Sequence, residues 1–250
     1  MKNILFIFSI LVSSFLNAQH SSGEVQYTES IKLNIDMEAG NEELLKTIPK
    51  SHNISKTLVF NSNESYFKDA GSNEDLNINR ERDGMDMQIV MKNPENNIYT
   101  NKEKNLLLQS KEFLGKFFLI TGELNSKKWK LQADQKNILG HACQKAVLMD
   151  TSQNLVVWYA LDIPVQSGPN GYANLPGLIL RAELDQDART ITATKIDFRD
   201  LKKGEIIQPT KGKKMEAREF NVMQDAKMKE MGMVKGKGGA VKMIIQEERH

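Results

Sequence analysis

Cysteine is almost absent from this sequence of 250 residues. Cys143 stands alone, so no internal disulfide can form, and a chain of this length can hold together by its core. A lone buried cysteine usually serves as a small hydrophobe, and Cys143 is read that way. Histidine is also scarce. His20, His52, His141 and His250 include no pair at zinc-ligand spacing, which leaves metal hydrolysis without a motif. His141 and Cys143 stand two apart, so a strand would turn both to one side; no cysteine-protease signature surrounds them. The sequence has no G-x-S-x-G, no phosphate loop and no dinucleotide fingerprint. No catalytic residue and no cofactor is therefore expected.

Long apolar runs are missing as well. The longest, Ile4 to Leu16, is broken by Ser9, Ser13 and Ser14 and falls short of the roughly 17–25 residues of a membrane span. With Lys2 before it and Ala18 after it, the run has the layout of a secretory signal peptide over 1–18, cleaved near Ala18. Export to the periplasm or beyond follows as an expectation, with no transmembrane segment in the mature chain. Charge of either sign is not in excess: 34 Lys and Arg stand against 32 Asp and Glu. Nucleic acid is not an expected partner. The basic excess gathers after residue 201, in a stretch rich in Lys and Met.

Period-two alternation is what the sequence has instead. From Val25 to Met37 the odd positions are apolar except Glu29, and every even position is polar. One long strand with a wet face reads this way. Further strands are expected at 57–60, 65–68, 85–91, 98–100, 105–110, 113–121, 128–133, 141–149, 154–161, 178–185 and 190–198. A short helix or loop is expected over 39–49 and a polar loop over 69–84. Residues 163–177 hold three of the six prolines and must be an irregular loop. Helical crossovers are nearly absent, so the strands should be antiparallel. The fold class is mainly β: a curved antiparallel sheet or half-barrel-like meander over 19–200, then a partly helical or flexible tail over 201–250. The tail's helix is expected over 213–231, with Phe220, Met223, Lys227 and Met231 at helical spacing.

The stretch Trp158-Tyr159-Ala160-Leu161-Asp162-Ile163-Pro164, followed by Gly168-Pro169 and Leu175-Pro176-Gly177-Leu178-Ile179-Leu180, resembles the GLPGLI family, also called the Porph_ging family. Ile138-Leu139-Gly140-His141-Ala142-Cys143-Gln144-Lys145-Ala146 agrees with that pattern, while Asn174 stands where the family has its first motif Gly. Asn visits positive φ more readily than other non-glycine residues, so the turn can survive. The resemblance implies an envelope protein of a Gram-negative bacterium, with an outer-membrane receptor or other envelope protein as a possible partner, and supplies no reaction.

From the residues themselves, Pro176-Gly177 suits the centre of a type II turn. Trp158 and Tyr159 fall on opposite faces of one strand, one for the core and one for covering the sheet or stacking on a ligand. The candidate binding residues are Trp158, Tyr159, Leu175, Pro176, Gly177, Leu178 and Ile179. The leading expectation is an exported, non-enzymatic binding or accessory module for a lipid, a peptide or an outer-membrane partner. The alternative is a copper-handling protein using the soft thioethers of Met228, Met231 and Met233.

Overall fold

The computed structural model describes residues 21–33, 49–71, 75–82, 85–91, 93–150, 154–231, 234–235 and 241–242. The leader over 1–18, the segment 39–48 and Met233 lie outside the described residues. The expected fold class holds: the chain is mainly β, with a single large sheet and one α-helix near its C-terminal end among the described residues. No helix among the described residues is long and apolar enough to cross a membrane.

The large sheet uses β1 (Gly23–Lys32), β2 (Ser51–Phe60), β3 (Glu64–Asp69), β6 (Asn96–Asn101), β7 (Leu106–Phe113) and β8 (Lys116–Glu123). It continues with β9 (Trp129–Ile138), β10 (His141–Leu148), β11 (Leu155–Ala160), β12 (Leu178–Leu184), β13 (Arg189–Phe198) and β14 (Lys213–Glu216). Their spatial order is β14-β8-β7-β6-β3-β2-β1-β13-β12-β11-β10-β9. Each half is a meander of hairpins, and β1 joins them by pairing with β2 on one side and β13 on the other. All pairs are antiparallel except β14 on β8. The two ends of the order do not pair with each other, so the sheet is open. Between β3 and β6, strands β4 (Leu76–Arg82) and β5 (Met85–Met91) form a separate hairpin. This corrects the loop expected over 69–84: the stretch 76–82 pairs as a strand, with only Leu76 and Ile78 as apolar residues to announce it.

The sheet curls around the loop that follows β11. A short turn of 3-10 helix, Pro169–Gly171, touches β3, β6 and β12. Two residues on, the Ala173 carbonyl accepts the Trp129 indole N–H at 2.8 Å, and Trp129 begins the edge strand β9. Strands β6 and β9 stand eight places apart in the sheet, about 38 Å if it were flat. A loop this short can touch both only if the sheet wraps inward. The loop therefore fills the inner face, where Ile163, Val165, Tyr172 and Leu175 pack with Val25, Tyr27, Leu58, Phe60 and Phe67.

Glu29 explains the break in the alternation of β1. It points inward with Val25 and Tyr27 and is 2% exposed, held by Arg189 and, at 3.8 Å, by Lys56. Lys56 in turn pairs with Asp69. Buried charges persist only when paired in this way.

The tail closes the other end. Residues 213–216, expected as helix, form β14, and the helix α1 begins only at Ala217 and runs to Glu230. Its Phe220 packs edge-on against Phe113 and Phe118, beside Ile120 and Met215. Of the apolar stripe expected on this helix, Phe220 is buried and Met223 half-buried, while Lys227 and Met231 are exposed.

Candidate functional site

The residues singled out in the sequence lie mainly in the core. Tyr159, Leu178 and Ile179 are fully buried, Leu175 is 2% exposed and Gly177 is buried; Pro176 alone is exposed. Tyr159 faces inward and donates its hydroxyl to Gln144 Oε1 at 2.9 Å. Pro176-Gly177 does not make the expected type II turn, because Gly177 is not at positive φ. Its glycine is required for another reason: a Cβ there would lie 2.0 Å from the Ala160 carbonyl oxygen. The positive φ belongs to Asn174, at 66°, whose side-chain amide donates to the Leu124 carbonyl.

Trp158 takes the opposite face, as its place on β11 requires. The indole N–H donates to Glu183 Oε1 at 3.1 Å, and Lys136 sets its ammonium 4.3 Å from the ring centroid. Glu183 also accepts from Arg181 and Lys136. Burial alone would raise the Glu183 pKa, but these two cations outweigh it and hold the carboxyl below its ordinary range.

His141 and Cys143 do not form a pair. The imidazole Nδ1 lies 2.6 Å from Asp162 Oδ2, while the thiol lies 3.6 Å from the His141 carbonyl. Met228 is half-buried on the last turn of α1, and Met231, just past its end, is exposed. No group of three His, Cys, Asp or Glu among the described residues could hold a metal ion.

A groove that sequence reasoning missed lies on the outer face of β1, β2 and β3. After β13 the chain, over 199–212, must reach β14 beside β8, seven strand places away. That is about 34 Å at ordinary strand spacing, within the reach of an extended segment of this length. The segment crosses the outer face as a strap. Ser110 donates its hydroxyl to the Lys211 carbonyl, and the Lys211 ammonium sits 3.2 Å from the Phe117 ring centroid. Beneath the strap the outer-face residues Val59, Tyr66, Tyr99 and Ser110 are buried.

Where the strap leaves β13, an open groove of about 530 Å³ lies between it and the sheet. The floor is Glu24, Gln26, Thr57, Val59 and Lys68; Arg199, Gly204, Glu205 and Ile207 form the wall. Arg199 organises it, with guanidinium contacts to Glu205 at 2.8 Å and Glu24 at 3.0 Å. The Arg199 hydrogen bond is the main cause that holds the Glu205 carboxyl below its ordinary pKa. The lowered Glu205 carboxylate is an acceptor of hydrogen bonds, and with Arg199 it gives this part of the groove a polar wall. The signal was hard to see because the floor and the wall come from segments more than a hundred residues apart.

Comparison with solved structures shows the same fold in PNGF-II. One structure, in the P21 space group, aligns with a TM-score of 0.50 and 16% identity over 82% of this chain and 33% of that one. A second, in the C2 space group, aligns with a TM-score of 0.49 and 16% identity over 81% of this chain and 32% of that one. This chain thus spans about a third of the length of those structures. No curated protein matches it. A family model described as N-glycanase peptide, N-terminal domain, matches residues 83–222, more than half of the chain. That match overturns the GLPGLI, or Porph_ging, resemblance: the shared short motif is the tight packing of the Gly177 loop, and the longer pattern around it is that of the N-glycanase domain. The readings as a non-enzymatic envelope module for a lipid, peptide or outer-membrane partner, and as a copper-handling protein, are overturned with it. By the extent of the match, the chain belongs to the N-glycanase peptide, N-terminal domain family.

Proposed function

We propose that this chain serves the release of asparagine-linked glycans, holding the glycopeptide so that the amide between asparagine and sugar is presented for hydrolysis. The family match over residues 83–222 is the observation that carries this reading. The groove under the strap supports it. Gln26, Thr57, Lys68, Arg199, Glu24 and Glu205 offer donors and acceptors in close alternation, which suits a ligand made of hydroxyls and amides. The Arg199 ion pairs keep the wall in one shape without a ligand, which lowers the ordering cost of binding. Export by a leader cleaved near Ala18 belongs to the same proposal, since such glycoproteins would be met outside the cell.

The test is a titration with an N-glycopeptide and the same peptide lacking its glycan, read by fluorescence anisotropy. Released glycan is followed in parallel by mass spectrometry. The glycopeptide should bind at least about tenfold more tightly, a difference of about 1.4 kcal/mol. Equal affinity for both peptides, with no glycan released, would refute the proposal.

A further inference from the structure

We infer that the outer face of the sheet, from Trp158 to the Arg199 groove, is one continuous surface for an extended oligosaccharide, with Trp158 as the ring on which a sugar stacks. The choice of a carbohydrate leans on the proposed role in N-glycan release; the placement of the surface does not.

The register puts the surface together. Lys145 lies opposite Trp158, Trp158 opposite Arg181, Arg181 opposite Thr192, Thr192 opposite Thr28, and Thr28 opposite Ser55. This row crosses from β10 to β2, about 24 Å at ordinary strand spacing. One step along the strands, on the same face, Gln26 and Thr57 floor the groove. The row therefore runs into the groove with no strand covering it among the described residues.

Its chemistry selects a ligand. Thr28, Ser55 and Thr192 carry hydroxyls, and the charges are balanced locally: Arg181 with Glu183, Lys145 with Asp134. A phosphate-rich ligand would find no excess of positive charge, and a lipid or an apolar helix would find one aromatic ring, with Val147 and Val156 beside it, on an otherwise polar row. A pyranose fits both features, with hydroxyls at its rim and an apolar C–H face for the indole.

Trp158 is prepared for such a contact and covered until it occurs. Its N–H is pinned by Glu183, which fixes the ring, and the Lys136 side chain lies over the ring. Lys145 lies on the same ring, 5.9 Å from its centroid, and with both lysines above it and the core cluster beside it Trp158 is only 7% exposed. Lys136 is itself 43% exposed and pairs with Glu183 at 3.3 Å. A surface ion pair of this kind is worth little, so the lysine can swing aside. The cover is made of two lysine side chains, and a sugar can replace them.

The probe is the linear tetramer of β-1,4-linked N-acetylglucosamine. In a Trp129→Phe background the only indole left is Trp158, so the sugar should change the emission saturably. By calorimetry, Trp158→Ala and Arg181→Ala should each weaken binding about tenfold or more. Lys136→Ala should tighten it several-fold, an effect that loss of folding cannot imitate. No saturable emission change, or unchanged affinity in the folded Arg181→Ala and Lys136→Ala variants, overturns the inference. Glycopeptide preference that survives Trp158→Ala likewise sinks this surface and leaves the proposed function standing. Tetramer binding with no preference for the glycopeptide does the reverse.

Discussion

The Cys143 thiol lies fully buried, and burial, with a smaller push from Asp162, lifts its pKa from the ordinary 9.0 to about 11. Thiolate is the reactive form, so the folded protein should resist an aromatic disulfide reagent at pH 8, whereas the unfolded chain should react with one equivalent at once. Immediate full reaction of the native protein would contradict this. The same shift links stability to pH. Its contribution is present below the unfolded thiol's pKa near 9, and is lost as pH rises toward 11, because the unfolded chain gives up the proton first. This buried role was legible in the sequence, where a single cysteine reads as a small hydrophobe. The alternation also showed that Trp158 and Tyr159 face opposite ways. It could not show which was inward, because that depends on how the sheet curls. Nor could it show Lys136 over the indole, because that lysine stands on the next hairpin.

Helix α1 and strand β14 stand on one small cluster of their own, separate from the main core. Phe220 is 2% exposed, with ring centroids 5.3 Å from Phe118 and 6.0 Å from Phe113, and Lys111 sets its ammonium over the same ring. Phe220→Ala should cost about 3–5 kcal/mol, spent first on releasing the helix and its parallel strand, so that hydrogen exchange rises over 213–230 before it rises in β1 or β13. Uniform loss of protection across the sheet would show that the tail is not a separate packing unit. The elements with a buried and a wet face, such as β1 and β13, could be read directly from period-two patterning. Others were hidden for definite reasons. Strand β4 has few apolar residues to alternate. The hairpin between β7 and β8 turns on Leu114-Gly115, both at positive φ, and an apolar Leu in that place disguises the turn. Residues 213–216 have the composition of a helix start, and only the edge of β8 makes them a strand.

The molecule as a whole is an open sheet whose two faces do different work. The inner face is closed by the 163–177 loop and by α1; the outer face is partly covered by the strap and otherwise presents polar side chains. The fold class could be argued from the sequence because local pattern determines strands. The groove could not, because it joins residues near 24 and 57 with residues 199–207, and only topology brings these together. Glycan engagement through the outer face is the claim on which the functional account stands. The most direct measurement is hydrogen exchange of the full chain with and without an N-glycopeptide. Protection should appear over 199–207 and along β1, β2 and β11 to β13, with the 163–177 loop and α1 unchanged. Protection confined to the loop or the helix, or none at saturating ligand, would contradict the account.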